Sequence, residues 1–205
     1  MQTAILYYNM ETALIIMVHN SVPFTVKAGK VTAISMQESA AIHNQLLTHI
    51  YHITTQLSAD KFVFSNEESK DSVFFKSGYK RRLQRGRNME EKTQHAFQTV
   101  FSMGYKKVVV IASSTIETAP FQLQSAFDSL NTCDVVIGPI QHGNYYLLGM
   151  KALHTFLFAN RPLHTSILLQ DTLKQITNRG LTYHLQAVLN NAEEENEHYL
   201  LHHRQ

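Results

Sequence analysis

The chain has 205 residues, 44% of them hydrophobic, a single cysteine and a formal charge of +2. That length supports one sizeable core rather than two comfortable domains, and the absence of low-complexity tracts or long charge blocks excludes a disordered chain. One cysteine excludes a disulfide framework or a cysteine-based zinc finger, and so small a charge gives no basis for nucleic acid as a partner.

Met1 to Glu11 has no basic n-region and no small-residue cleavage pattern, so it is read as an N-terminal extension rather than a signal peptide. Thr12 to Val18 (TALIIMV) follows, a continuous branched apolar run that predicts a strand buried on both faces. Its apolar core, Ala13 to Val18, is far short of the ~20 residues that span a bilayer. A cytoplasmic protein without a membrane partner is expected.

From Ser35 to Leu57 the residues Leu46, Leu47, Ile50, Ile53 and Leu57 recur at helical spacing, with Ser35 as a candidate N-cap and Glu38 as its capping-box partner. Lys61 to Ser65 reads as a second strand and Ser72 to Phe75 as a candidate third. Lys80, Arg81, Arg82, Arg85 and Arg87 then form a basic cluster with two readings, an anion-attracting site or a solvated loop. The next helix presents Met89, Thr93, Ala96, Phe97, Val100 and Met103 on one face and ends at Gly104.

Lys107 to Ser113 (KVVVIAS) predicts the strongest strand, and Pro120 to Leu130 a helix with proline in its first turn. Asp134 to Pro139 and Tyr145 to Met150 predict two strands around a polar loop, with one ring of Tyr145 and Tyr146 entering the core and the other facing cleft or solvent. Ser166 to Arg179 is expected to be helical and to stop at Gly180, Thr182 to Leu189 to be a strand, and the acidic, histidine-bearing tail 192–205 to be a helix. This alternation argues for one α/β domain over 1–205, a mostly parallel central sheet with helices on both faces. Ligands of such sheets sit outside the carboxyl ends of the strands, which nominates the loops 19–30, 113–118, 140–144 and 190–194.

At these loops the sequence resembles a family of bacterial proteins with the nucleotide-diphospho-sugar transferase (glycosyltransferase-A) fold, known as domain of unknown function 2064. The residues that carry the resemblance are Asp134 to Gly149, DVVIGPIQHGNYYLLG, against a family pattern D-V-V-[IL]-G-P-A-x-D-G-G-Y-Y-L-L-G. It continues through Gly104 to Lys107, Leu168 to Leu173 and, more weakly, Val22-Pro23 and Val26-Lys27, covering about residues 12 to 195. The family's fold implies a nucleoside diphosphate-sugar donor and Mg²⁺ or Mn²⁺ held by carboxylates, which would neutralise the diphosphate leaving group.

Against that pattern the acidic positions are replaced. Ser114 aligns with the strand-end aspartate, His142 with the aspartate of the glycine-tyrosine loop, Asn190 with a C-terminal aspartate, and Asn88 with the aspartate that opens the helix at Met89. Asn144 stands for a glycine, Gly29 for the arginine of the basic loop and Phe24 for its glycine. Hard cations need oxygen anions, so the resemblance as it stands implies no metal site and no cofactor, with Mg²⁺ or Mn²⁺ returning only if Glu117, Glu193 or Glu194 takes over.

The candidate cleft positions are therefore Ser114, His142, Asn190, Glu117, Glu193 and Glu194, with Ser114, His142 and Asn190 expected at one end of the sheet. Candidate contacts to a nucleotide-sugar or other phosphorylated anion, weakly bound, are Lys27, Arg85, Arg87, Lys92 and Asn144. His19, His142 and His164 could supply zinc ligands or a general base but read more simply as surface histidines, and His43 as a packing residue. Cys133 has no base partner evident in the sequence and is not expected to act as a nucleophile. Two function classes remain: a catalytically impaired transferase homologue that binds or interacts, and a transferase with a reorganised, metal-independent site.

Overall fold

The computed structural model describes residues 11–18, 36–66, 73–75, 78–112, 118–141, 145–159 and 168–189. Seven strands form one sheet: β1 (Thr12–Met17), β2 (Asp60–Ser65), β3 (Tyr79–Leu83), β4 (Lys107–Ala112), β5 (Val135–Pro139), β6 (Tyr145–Met150) and β7 (Tyr183–Leu185), in the order β3-β2-β1-β4-β6-β5-β7. All neighbours pair in parallel except at β6, which lies antiparallel to both β4 and β5. The short connection after β5 forces this, because a strand returning within a few residues can only run back, and β6 is thereby inserted between β5 and β4.

Four helices cover the sheet: α1 (Met36–Thr55), α2 (Met89–Ser102), α3 (Pro120–Ser129) and α4 (Leu168–Thr177). The period-two alternation of the strands divides the core in two. Leu14, Ile16, Val63, Val109 and Ile111 point to one face, where α1 packs through Leu47, Ile50 and Ile53 and α3 through Leu123, Ala126 and Phe127. Ala13, Ile15, Phe62, Phe64, Val108 and Val110 point to the other, against Ala96, Phe97 and Val100 of α2 and Ile176 of α4. Strand β1 is buried on both sides, as its unbroken apolar run predicts. The α2 stop is also as read, with Gly104 at φ 96° just past the C-cap Met103.

Two strand expectations need correction. Ser72 to Phe75 is not the third strand, because Val73–Phe75 is a 3₁₀ turn that drives Phe74 into the core. The third strand is β3, YKRRL, whose single apolar alternation is masked by basic residues. Its anchor is Tyr79, whose ring lies 5.1 Å from that of Phe74 and whose hydroxyl shares a 2.7 Å hydrogen bond with Thr54. The cluster Lys80, Arg81 and Arg82 therefore belongs to an edge strand rather than a loop. Thr182 to Leu189 is likewise only partly a strand: β7 spans Tyr183–Leu185, and Leu189 returns to pair with Ile140 in an isolated bridge. The Ser35 cap and the tail 192–205 lie outside the described residues.

Pairing shifts between Gly138, opposite Leu147, and Pro139, opposite Tyr145, so that Tyr146 has no partner on β5. This bulge sends Tyr146 and its neighbour Leu147 to the same face. The Tyr146 ring lies over Gly138, where an added Cβ would meet ring carbons at 2.5 and 2.6 Å. Its hydroxyl is buried without a hydrogen-bond partner among the described residues, and burial pushes its pKa up to about 12. Gly138→Ala should therefore cost about 1–3 kcal/mol through overpacking. Tyr146→Phe should be neutral or stabilising by up to ~1 kcal/mol, because it deletes an unpaired polar group. Urea unfolding of the two variants against the wild type checks both signs.

The free side of β3 is guarded. The Gln84 amide donates to Ser65 of β2 at 2.8 Å, so by strand alternation the Arg81 carbonyl points away from the sheet, and the Arg82 guanidinium donates to it at 2.8 Å. Arg81 itself stacks over Phe75, 3.9 Å from the ring centroid. Charge on an edge strand blocks sheet-to-sheet pairing. Replacing Arg81 and Arg82 together with threonine should give concentration-dependent association in light scattering while far-ultraviolet circular dichroism stays native.

Candidate functional site

The carboxyl ends of β1, β2, β3, β4, β5 and β7 and the start of β6 share one edge of the sheet. The register fixes this: Met17 pairs with Phe64 and with Ala112, Ser65 with Leu83, Ile111 with Leu147, Pro139 with Tyr145 and Ile140 with Leu189. The order in which strands are added reverses at β1, which has β2 and β3 on one side and β4 on the other, and in such sheets ligands sit at the carboxyl edge of that switch.

Ser114, Glu117, His142, Asn144, Asn190, Glu193, Glu194 and Lys27 lie outside the described residues, as do His19, Phe24, Gly29 and His164. Their immediate flanks are described. Ala112 ends β4, and Gln141 donates its amide to the Leu189 carbonyl at 3.0 Å, so the chain positions just before 142 and just before 190 are hydrogen-bonded together at this edge.

The described basic candidates differ. Arg87 is held by Glu91 one turn into α2, through Nη2 at 2.8 Å and its backbone amide at 2.9 Å. The hydrogen bond from Arg87 lowers the pKa of Glu91. Lys92 donates to Asn66 Oδ1 at 3.0 Å, just past the end of β2. Arg85 is exposed and has no ion pair among the described residues. Gly86 sets the path between them, because its φ of +140° and a virtual Cβ only 2.7 Å from the Lys92 nitrogen admit no side chain. Asn88 caps α2 by accepting from the Glu91 amide at 2.9 Å.

Three features at this edge have no sequence signature. Gln84 donates from Nε2 to the carbonyls of Val18 and Phe64, each at 2.9 Å, where β1 and β2 end. His49 on α1 uses Nε2 to reach the Thr118 carbonyl at 2.9 Å. The carbonyl requires a donor, so that nitrogen carries the proton. Thr118 is buried, and Gln122 in the first turn of α3 accepts from the Ala119 amide at 2.6 Å. The Gln84 and His49 bonds are long-range contacts that only the assembled fold creates, whereas the Gln122 bond is local to the start of α3.

Asp134, which opens the most specific sequence motif, stands at the opposite end of β5. Its Oδ2 accepts from the Thr182 amide at 2.9 Å and hydroxyl at 2.7 Å, and the Thr182 amide bond leads the effects that hold its pKa below the usual carboxylate range. Cys133 is buried with its thiol donating to the Ser129 carbonyl at 3.0 Å, and burial raises its pKa, which disfavours the thiolate a nucleophile needs. Among the described residues no group of three or more His, Cys, Asp or Glu is arranged to hold a metal ion. No described helix is long and apolar enough to cross a membrane.

Comparison with known proteins follows the fold. The model of a family described as "Uncharacterized protein conserved in bacteria (DUF2064)" matches residues 49–165, more than half of the chain. A "putative nucleotide-diphospho-sugar transferase" from Desulfovibrio desulfuricans G20 superposes with a TM-score of 0.75 at 21% identity, over 88% of this chain and 81% of that one. A 4-diphosphocytidyl-2C-methyl-D-erythritol synthase from Anaerococcus prevotii DSM 20548 gives 0.57 at 9% identity, over 88% and 87%. CMP:2-keto-3-deoxy-manno-octonic acid synthetase in complex with CTP gives 0.55 at 10% identity, over 93% and 98%. No curated protein matches the sequence. At these identities the likeness is one of fold.

His43 on α1 and His154 after β6 are both half-buried, and burial lowers the pKa of each. A depressed folded pKa means that the unfolded chain takes up the proton first, so stability is full above the unfolded value near 6.5 and falls as pH drops through it toward the folded value. Melting temperature should therefore decline from pH 7 to pH 5, and a His43→Gln, His154→Gln double variant should show a shallower decline by differential scanning fluorimetry.

Proposed function

The chain belongs to the DUF2064 family of bacterial proteins, and on that premise we propose that it is a glycosyltransferase-like protein with a degenerate nucleotide-sugar and metal site, which binds a phosphorylated anion weakly and acts in binding or interaction rather than catalysis. The observation that carries this reading is the replacement of acidic positions on a transferase fold: Ser114, His142, Asn190 and Asn88 stand where the family pattern has aspartate. Mg²⁺ and Mn²⁺ take hard oxygen ligands and lean on at least one or two carboxylates, whereas serine and asparagine offer neutral oxygens and histidine a nitrogen better suited to zinc.

Asn88 supports the reading further. As a cap, asparagine replaces aspartate with little loss, so the helix survives a change that removes a negative charge. Arg85, exposed beside the carboxyl edge and without an acidic partner among the described residues, is a cation available for a diphosphate. A second reading, an active transferase with a reorganised site, rests on the carboxylates Glu117, Glu193 and Glu194.

Calorimetry with Mn²⁺ and a panel of nucleotide-sugars separates the two. The expected outcome is weak nucleotide-sugar binding that Mn²⁺ leaves unchanged, and no cation-dependent sugar transfer. Tight stoichiometric Mn²⁺ uptake at neutral pH would establish the second reading instead. The triple variant Ser114→Asp, His142→Asp, Asn190→Asp should gain Mn²⁺ affinity where the wild type has none.

A further inference from the structure

Gln84 sits just beyond β3 at the carboxyl edge, half-buried, and its side-chain amide is fixed by chemistry as well as position. Carbonyl oxygens accept only, so the group within 2.9 Å of both the Val18 and the Phe64 carbonyls must be the NH₂. The planar amide then turns Oε1 away from both strand ends. Those two bonds are the ones Gln84 makes through its side chain among the described residues, which leaves Oε1 an open acceptor. Its backbone is pinned too, with the Gln84 amide bonded to the Ser65 carbonyl at 2.8 Å and Gly86 closing the loop onto α2.

A rotatable glutamine on a surface would lose entropy on meeting a ligand, whereas this one has already lost it to the fold. We propose that Gln84 is a ligand-contacting residue of the carboxyl-edge cleft, accepting through Oε1 an N–H or O–H of the nucleoside part of a nucleoside diphosphate while its NH₂ ties the ends of β1 and β2. The proposal rests on the anion-binding reading above and assigns the uncharged half of the ligand, which an arginine or lysine would not recognise. A glutamine that only ties strands would leave discrimination between a nucleoside diphosphate and bare pyrophosphate untouched.

The test compares UDP, CDP, GDP and ADP with inorganic pyrophosphate on the full chain, by ligand-observed nuclear magnetic resonance titration. Wild type should prefer at least one nucleoside diphosphate over pyrophosphate. Gln84→Ala, which removes both ends of the amide, and Gln84→Lys, which keeps a donor for the two carbonyls but has no acceptor, should each reduce that preference about five-fold, the worth of one hydrogen bond. Gln84→Lys also guards against simple unfolding of the alanine variant. An unchanged preference in Gln84→Lys, or a wild type that binds pyrophosphate as well as every nucleoside diphosphate, overturns the Gln84 assignment alone. A wild type that binds none of the five probes overturns the anion-binding reading and this assignment with it.

Discussion

The rest of the structure depends on the burial of β1 between β2 and β4, with α1 and α3 on one face and α2 on the other. A strand enclosed on all sides can satisfy its polar backbone only through its neighbours, and its last carbonyl has no strand left to bond. Val18 donates its amide to the Phe64 carbonyl at 2.9 Å, and among the described residues the partner of its own carbonyl is the Gln84 side chain. The place of Gln84 at the carboxyl edge thus follows from one requirement, that the end of the central strand be hydrogen-bonded.

That requirement explains which parts of the fold the sequence discloses. β1, β4, β5 and β6 are buried on both faces, so their unbroken apolar runs are legible, and α2 is legible because one face alone is apolar. β3 is an edge strand with Tyr79 as its main hydrophobic anchor, and a pattern of one anchor and three cations carries no period to detect. Phe74 misleads in the opposite sense, since a short aromatic run reads as a strand until the 3₁₀ turn shows a single ring reaching the core. The bulge at Tyr146 escapes because bulges are set by pairing register, a relation between two strands.

The candidate site is legible in a different way. Its positions come from a motif, and the structure gives much of that motif to packing. Asp134 staples the starts of β5 and β7 at the end of the sheet away from the crevice, Gly138 makes room for the Tyr146 ring, and an added Cβ at Gly149 would meet Val136 at 2.6 Å and Val109 at 2.9 Å. Residues retained for such reasons keep the scaffold recognisable whatever chemistry it carries. The persistence of the motif is therefore evidence of fold, and function has to be argued from the positions between these anchors.

On the proposed reading, the worth of the basic residues depends on what carboxylates at the replaced positions would have done. A cation held by carboxylates bridges protein and diphosphate and neutralises charge on both sides at close range. On the reading proposed above, the described side chains left to hold an anion are Arg85 and Lys92, of which Lys92 is already shared with Asn66. Arg87 is engaged by Glu91, and that carboxylate beside the helix start repels the ligand that the helix dipole would attract. Attraction between exposed charges is screened over about 10 Å at 0.1 M salt, so such a site discriminates poorly by charge. Discrimination at such a site would then come from uncharged groups held in place by the fold, and among the described residues at this edge the amide of Gln84 has its orientation dictated by the strand ends.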